Sequence, residues 1–184
     1  MDAAAPLSSP DPWLITVSPD DVPLAPLRKQ ACHAGAGVLH RAFSLFLFDA
    51  RGRVLLQRRS AHKPLWPGYW ANSCCSHPRW GEALPDAVVR RAGEELGVTL
   101  AVPPHWRFRF IYQARYRDVG SEHELCHVFT AALGSGVPAP DPDEVAEWVW
   151  MAPEALTRAL AETDAPFAPW LRLEWPRLVP LLDT

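Results

Sequence analysis

Three features that would indicate particular partners are missing from this sequence. Basic residues are not in excess, because 18 Lys and Arg stand against 21 Asp and Glu, so no nucleic-acid surface is expected. The longest apolar stretch, near Phe43–Phe48, is far shorter than a bilayer requires. The first residues also lack the basic-then-apolar order of a secretion signal. We therefore expect a cytoplasmic protein with neither a membrane span nor a nucleic-acid partner.

The paired C-x-x-C spacing of a structural zinc site is absent as well. The four cysteines are Cys32, Cys74, Cys75 and Cys126. Cys74 and Cys75 are neighbours, which is poor geometry for a disulfide between them. We interpret the chain as a cytosolic protein with reduced thiols.

Length and composition are those of one globular domain. The 184 residues are 48% hydrophobic and 21% charged, which is sufficient for a sizeable core. The first dozen residues are mostly small residues and prolines, which predicts a disordered leader over 1–12. We predict a single domain over 13–184 and expect it to be a monomer.

Hydrophobic periodicity predicts strands and helices in mixed order. The predicted strands are Trp13–Val17, Leu39–Asp49, Val54–Arg58, Arg107–Tyr116, Glu124–Ala132 and Glu147–Trp150, the second and third forming a hairpin. The predicted helices are Pro26–Cys32, Leu84–Leu96, Pro153–Ala161 and Ala168–Leu173, followed by a tail made irregular by Pro176 and Pro180. This order indicates an α+β fold with a mixed β-sheet flanked by helices.

One carboxylate falls on the apolar face of the predicted central helix. Leu84, Val88 and Ala92 form the apolar stripe, and Glu95 lies within it. A carboxylate that faces a core is costly unless it is paired or binds a metal ion. Pairing with Arg91, four residues earlier, and coordination of a hard cation such as Mg²⁺ both remain open.

The sequence around this helix resembles the Nudix box. The run SHPRWGEALPDAVVRRAGEELGV begins at Ser76 and matches the box at Glu82, Arg90, Glu94, Glu95, Gly97 and Val98. Two positions depart from it, because Ser76 replaces the first Gly and Arg91 replaces the Glu that follows the Arg. A cation at Arg91 should repel a metal ion, which argues against an ordinary Nudix hydrolase.

Three histidines and two glutamates offer a different kind of metal site. His33 and His40 precede the hairpin, and His77 lies in the long loop after it. Glu122 and Glu124 are two apart, so an extended chain places both on one face. Imidazole nitrogens with carboxylate oxygens suit a first-row divalent ion. Spacing alone does not unite the five, since each is equally explained as a solvated side chain.

Five segments together resemble the type I isopentenyl-diphosphate isomerases, and they occur in the same order. They read RKQACHAGAGVLHRAF, LLQRRSAHKPLWPGYWANSCCSHP, RRAGEELGV, EHELCHVF and APWLR, and the similarity extends from about Val17 to Leu173. The loop that combines WPG, W, NS, C and SHP is the most specific of them. The resemblance implies a Nudix-like fold and the interconversion of isopentenyl and dimethylallyl diphosphate through a tertiary carbocation.

The resemblance also implies two metal ions. The ligands of the first, which would be Mn²⁺ or Zn²⁺, would be His33, His40, His77, Glu122 and Glu124. Glu95 would help to hold a second ion, Mg²⁺, that bridges to the diphosphate of a small prenyl substrate.

Catalytic and substrate-binding roles follow from the same alignment. By this resemblance, Glu124 would occupy the alkene-protonating position, Tyr112 would hydrogen-bond to it, Cys75 would exchange a proton on the opposite face, and Trp170 would face the cation. Without the resemblance, Cys75 and Trp170 would be interpreted as core residues. The positions that match diphosphate-binding cations are Lys29, Arg59 and Lys63.

Three other functions stay open at this point. The first is a Nudix phosphohydrolase, against which Arg91 and the intact loop both argue. The second is cyclisation or rearrangement of a larger prenyl diphosphate by the same acid and cation pocket. The third is a protein that binds a metal and a prenyl diphosphate without catalysis, although the expected catalytic residues are all present.

Overall fold

A computed structural model describes residues 11–182 of the chain. The strands are β1 Trp13–Val17, β2 Pro23–Arg28, β3 His40–Phe48, β4 Val54–Arg59, β5 Trp70–Ala71, β6 Cys74–Ser76, β7 His105–Tyr116, β8 Gly120–Ala132 and β9 Val145–Met151. The helices are α1 Lys29–His33, α2 Leu84–Leu96, α3 Pro153–Ala161 and α4 Pro169–Leu178, which a 3₁₀ turn at Val179–Leu181 follows.

The leader was predicted over 1–12, and its first ten residues lie outside the part of the chain that the structure describes. Its last two residues contact α1. The Lys29 amide donates to the Pro12 carbonyl at 2.9 Å, and the Gln30 amide donates to Asp11 Oδ1 at 3.2 Å.

All nine strands belong to one mixed sheet with β3 near its centre. β3 pairs in parallel with β8 in a register that sets His40 opposite Glu124. β7 pairs antiparallel with β8 and places Tyr112 opposite the same Glu124. The predicted mixed sheet flanked by helices is confirmed, and its parallel pair brings together residues that are distant in sequence.

Strand alternation divides β3 between two hydrophobic cores. Phe43, Leu45 and Leu47 pack towards α2, whereas Phe46 belongs to the core formed with α4. Each such side chain contributes about 1.5–3 kcal/mol when fully buried. Ser44 is polar and also buried, and it lies on the α4 face. That face therefore carries a polar position within an apolar surface.

Helix α2 has the bounds that the sequence predicts. Pro85 lies in its first turn, and Gly97 ends it in the left-handed conformation at φ 63°. A Cβ at Gly97 would lie 2.5 Å from the carbonyl oxygen of Ala139. Glycine is therefore required at this position both by its dihedral angle and by the neighbouring backbone.

The predicted hairpin exists only at its turn. β3 and β4 share the single pair Phe48 with Val54, and the two strands then separate. β6 occupies the freed edge of β3 and places Cys75 opposite Ser44, while β5 and β9 pair with β4. The long loop after β4 therefore returns into the sheet, which the sequence analysis did not predict.

Two predicted helices have different bounds in the structure. The helix predicted over Pro26–Cys32 is wrong in its first half, because β2 extends to Arg28 as an edge strand where proline is tolerated. The last helix continues to Leu178 through Pro176, where an irregular tail was predicted. Burial of Trp175 and Leu178 offsets the hydrogen bond that this proline removes.

No helix within residues 11–182 combines the length and the apolar character needed to cross a bilayer.

Candidate metal centre and active-site pocket

Five side chains from four parts of the fold converge on one point. His33 ends α1, His40 begins β3, His77 follows β6, and Glu122 and Glu124 lie two apart on β8. One potential ligand atom from each lies within 4.8 Å of all the others. The centroids of the three imidazole rings are 4.9–5.2 Å apart. The structure thus gathers the whole ligand set that the resemblance implied.

The backbone determines how two of the imidazoles present their nitrogens. Nδ1 of His33 lies 2.7 Å from the Lys29 carbonyl, and Nδ1 of His40 lies 2.7 Å from the Val38 carbonyl. A carbonyl can only accept, so Nδ1 carries the proton in each ring and Nε2 is the atom that faces the cluster. Burial, together with the neighbouring His33, lowers the pKa of His40 to about 4, which keeps this ring neutral.

Each of the two carboxylates contacts one histidine of the cluster, and their pKa values are shifted in opposite directions. Glu122 Oε2 lies 2.8 Å from His33 Nε2, and Glu124 Oε1 lies 2.9 Å from His77 Nε2. Burial and then the charge of Glu122 raise the pKa of Glu124 well above its usual range. Burial would also raise the pKa of Glu122, but its contacts with His33 reverse that effect and lower it.

This donor set fits a divalent metal ion. Nε2 of His40 is buried and has no hydrogen-bond partner among the described residues, although it points towards Glu124 Oε1 at 3.8 Å. Neighbouring ligand atoms at right angles, each about 2.1 Å from one ion, would be about 3 Å apart, close to the histidine–carboxylate distances of 2.8–3.8 Å. Three nitrogens and two carboxylates are typical ligands of first-row ions such as Mn²⁺ and Zn²⁺.

A cavity of about 480 Å³ adjoins the cluster. Ten of the predicted site residues line it: Lys29, His33, Arg59, Lys63, Cys75, His77, Tyr112, Glu122, Glu124 and Trp170. Two predicted residues do not, because His40 is completely buried behind the wall and Glu95 belongs to α2. The size suits a small ligand.

Tyr112 and Glu124 form the acidic side of this cavity. The Tyr112 hydroxyl donates to Glu124 Oε2 at 2.7 Å, as their opposite positions on β7 and β8 require. Burial and the nearby Glu124 carboxyl raise the pKa of Tyr112 well above its usual range, so the phenol stays a donor.

Cys75 lines the cavity from β6, on the other side of β3 from Glu124. Its thiol donates to Asn72 Oδ1 at 2.6 Å, and its sulfur lies 3.7 Å from Ser44 Oγ. Burial raises the pKa of Cys75 well above its usual range. Cys74 faces the opposite way and is buried in the core against α2, which agrees with its predicted packing role.

Asn72 is a residue that the sequence analysis did not assign. Its amide nitrogen donates to the carbonyls of Leu45 and Cys74, which turns Oδ1 towards the cavity wall. Oδ1 accepts from Cys75 and also from the Trp170 indole at 3.1 Å. The NS pair in the quoted loop was the only sequence signal for this residue, and the fold gives it a positioning role.

The ring of Trp170 closes one side of the cavity and is 2% exposed. Trp66 packs edge-on against it, with ring centroids 5.4 Å apart. The Arg59 guanidinium lies 5.2 Å from the Trp170 ring centroid and donates to the carbonyls of Leu65 and Trp66. Arg59 is therefore anchored by the loop beside the aromatic wall.

The two predicted lysines lie at the same cavity and have different neighbours. Burial lowers the pKa of Lys29, and burial lowers that of Lys63 to about 8 despite the opposing effect of Glu95. Lys63 also forms an ion pair with Glu144. An anion beside these ammonium groups would favour their charged forms.

Glu95 is buried and paired with Arg91, so the structure contains the pairing that the sequence left open. Arg91 also contacts Glu94 at 2.7 Å and Glu144 at 3.1 Å. Burial alone would raise the pKa of Glu95, but the charges of Arg91 and Lys63 together with the hydrogen bonds of Arg91 and Cys74 lower it. The position that departs from the Nudix box thus neutralises the box carboxylate, whose predicted Mg²⁺ role stays a prediction.

Comparison with known proteins defines the class first. Residues 38–171 match the family model described as the NUDIX domain. A solved structure, DR0079 from Deinococcus radiodurans, superposes with a TM-score of 0.69 over 89% of this chain and 97% of its own, at 21% identity. At that identity the likeness concerns the fold alone. The family model covers most of the chain, so the chain is a Nudix protein.

Curated relatives narrow the assignment. The chain is 40% identical to an isopentenyl-diphosphate Delta-isomerase of Leifsonia xyli over 94% of each sequence. It is 46% identical to a relative of the same name from Cereibacter sphaeroides, over 82% of this chain and 84% of that protein. Within the Nudix proteins, the chain belongs to the isopentenyl-diphosphate Delta-isomerase family.

Proposed function

We propose that this protein interconverts isopentenyl diphosphate and dimethylallyl diphosphate. The reaction adds a proton to the terminal alkene carbon of the substrate and removes one from its allylic carbon. Its intermediate is a tertiary carbocation, so the site must supply an acid, a base and a pocket without water. The observation that carries the proposal is that Glu124 and Cys75 line one cavity from strands on either side of β3.

Glu124 is the proposed acid. Tyr112 donates to its Oε2 and holds the carboxyl in the cavity wall, with Oε1 directed at His77. A divalent ion held by the three histidines and two glutamates supplies Lewis acidity when bound, which makes this carboxyl a stronger acid. An unactivated alkene is a weak base, so protonation needs an acid that is both strong and well placed.

Cys75 is the proposed base in the forward direction. It lies in the same cavity but on the opposite flank of β3, so it can take the allylic proton from the other face of the substrate. Asn72 orients the sulfur and the Trp170 indole together. The Trp170 ring stabilises the cation through its face, an effect of about 2 kcal/mol in a desolvated site.

Lys29, Arg59 and Lys63 are proposed to bind the substrate diphosphate where they line the cavity. A Mg²⁺ role for Glu95 requires its carboxylate to be shared with Arg91 or released from it, with the diphosphate supplying further ligands. A monomer in the cytoplasm, with Mn²⁺ or Zn²⁺ as the first ion, completes the proposal.

The test incubates purified protein with isopentenyl diphosphate, Mg²⁺ and Mn²⁺ and measures dimethylallyl diphosphate. Cys75→Ala and Glu124→Gln should each lower turnover by about 10²–10⁴-fold, as loss of a positioned acid or base does. Cys74→Ala is the matched control, because it removes the neighbouring thiol from the opposite face of the sheet.

Three results would contradict the proposal. Release of phosphate or pyrophosphate would indicate a Nudix hydrolase. Turnover only with longer prenyl diphosphates would indicate a different rearrangement. Full activity in both site variants would remove the assigned roles.

A further inference from the structure

Glu174 is a buried carboxyl with no part in the chemistry described above. It lies on α4, one turn after Trp170, and is completely inaccessible to solvent. Its Oε1 accepts from the Ser44 hydroxyl at 2.6 Å and lies 3.5 Å from the Cys126 sulfur. Its Oε2 is buried and has no hydrogen-bond partner among the described residues.

Ser44 connects this carboxyl with the proposed base. Ser44 and Cys75 are directly opposite in the antiparallel pair of β3 and β6, and Oγ and Sγ are 3.7 Å apart. Ser44 also lines the active-site cavity, while Glu174 lies behind it. The three side chains therefore form a continuous path from the cavity into the core.

A purely structural role explains this carboxyl poorly. A buried carboxylate with one unpartnered oxygen destabilises the folded state, and an amide or apolar side chain of similar size would not carry that charge. Burial raises the pKa of Glu174 to about 8, against the opposing effect of its hydrogen bonds. A pKa of about 8 makes Glu174 mainly the acid at pH 7, with a carboxylate fraction that grows as the pH rises towards 8.

We propose that Glu174 receives the proton that Cys75 removes from the substrate, with Ser44 as the relay between them. The inference rests on the proposed isomerase function. In the forward direction the allylic C–H bond breaks and its proton joins the Cys75 sulfur, while the electron pair forms the new double bond. At the same time the proton that the Cys75 thiol already carries passes to Ser44 Oγ, and the Ser44 O–H proton passes to the Glu174 carboxylate at Oε1.

This sequence of transfers is balanced. It leaves Ser44 and the Cys75 thiol unchanged and converts the Glu174 carboxylate into the acid. When product leaves and water enters the cavity, the same path returns the proton to solvent through Ser44, which lines that cavity. Glu174 touches no substrate in this scheme and is a positioning residue that acts through Ser44 and Cys75.

Deuterium labelling separates this role from a structural one. In D₂O, the forward reaction places deuterium on the terminal carbon from the Glu124 side. The reverse reaction, from dimethylallyl to isopentenyl diphosphate, places deuterium on the allylic carbon from the Cys75 side. The measured quantity is the ratio of allylic to terminal deuterium early in the equilibration. We expect Glu174→Gln and Ser44→Ala each to lower that ratio about tenfold. The double variant should be no worse, because both interrupt one path.

Two further variants serve as controls. Cys126→Ser changes a side chain that contacts both Ser44 Oγ and Glu174 Oε1 from outside the path and keeps a hydrogen-bond donor there, so its labelling ratio should remain within about twofold of wild type. Glu174→Asp keeps the carboxyl and should recover part of the ratio that Glu174→Gln loses. A thermal melt of each variant identifies losses of turnover that come from unfolding.

A wild-type labelling ratio in both Glu174→Gln and Ser44→Ala would overturn the relay, even if turnover fell. So would a fall in the ratio as large in Cys126→Ser as in Glu174→Gln. The wild-type assay comes first. If the wild-type protein forms no dimethylallyl diphosphate, the proposed function itself fails, and the labelling ratios of the variants do not bear on the relay.

Discussion

His40 on β3 and Glu124 on β8 are register partners in a parallel strand pair, and their Nε2 and Oε1 atoms lie 3.8 Å apart. Antiparallel pairing of β7 adds Tyr112 beside the same carboxyl. Because strands of one sheet are closely spaced, this register alone brings a ligand, an acid and its hydrogen-bond donor together. The sheet thus places the proposed metal ligands and the proposed acid at one point.

The metal centre predicts a loss of bound ion when one ligand is removed. His40→Ala removes an Nε2 that has no other partner among the described residues, so we expect Mn²⁺ or Zn²⁺ affinity to fall at least about tenfold. Metal content after gel filtration and the rise in melting temperature on adding metal both measure this. His62→Ala is the control, since His62 is an exposed side chain paired only with Asp143. Equal metal content in wild type and His40→Ala would contradict the assignment.

The aromatic wall predicts a difference between two substitutions at one position. Trp170→Phe and Trp170→Leu both remove the indole N–H that donates to Asn72, but only Phe keeps a ring face. A desolvated cation–π contact of about 2 kcal/mol corresponds to about thirtyfold in rate, so kcat should be lower for Leu by up to that factor. Steady-state kinetics with isopentenyl diphosphate measure it, and equal kcat values would rule out ring stabilisation.

Glu174 predicts how stability depends on pH. Its pKa is raised to about 8 in the folded protein by burial, so the folded state binds a proton more tightly than the unfolded chain. Stability should therefore fall as pH rises from the unfolded pKa of about 4.3 towards 8, and this contribution should level off above it. The neighbouring ionisable groups are Cys75 on β6, Cys126 on β8 and Arg177 on α4.

Denaturant unfolding of wild type and Glu174→Gln across this range provides the comparison. The variant lacks the ionisation, so its free energy of unfolding should rise relative to wild type as pH increases. A constant difference between the two proteins would show that Glu174 does not titrate in this window.

Two glycines with left-handed backbone predict different sensitivities to a methyl group. Gly97→Ala would place a Cβ 2.5 Å from the Ala139 carbonyl, whereas a Cβ at Gly52 meets nothing within 4 Å. Both substitutions carry the strain of positive φ, about 1–2 kcal/mol, and Gly97→Ala adds the clash. Thermal melts should show the larger loss for Gly97→Ala, with activity per folded molecule unchanged. Equal losses would mean that the backbone at Ala139 yields without cost.

Local sequence signals predicted elements wherever periodicity and end signals agreed. Helix α2 has its predicted bounds because Pro85 and Gly97 mark its ends and its apolar stripe is regular. β2 was missed because Pro26 and its neighbours carry no strand periodicity, and the strand depends on pairing with β1. The end of α4 was missed because Pro176 is a local helix breaker, and burial of Trp175 overrides that preference.

The residues of the candidate site also fall into two groups, those that sequence motifs indicated and those that only the fold brings to the site. The identities of the five ligand residues, Cys75, Tyr112 and Trp170 came from a resemblance carried by short motifs, and the structure gathers them around one cavity and its buried wall. Ser44 and Glu174 carried no motif of their own, and Asn72 was marked only by the NS pair of the quoted loop. Their contacts arise from β6 returning to the edge of β3 and from α4 packing above Ser44.

The sequence by itself determined the family, the central helix and the kinds of chemical groups available to the site, because these depend on residue identity and short-range spacing. The tertiary structure decided which groups meet. Strand register sets His40 against Glu124, and the splayed hairpin places Cys75 beside Ser44. Packing of α4 buries a carboxyl behind that serine. Contacts of this kind join distant parts of the chain, and only the folded backbone specifies them.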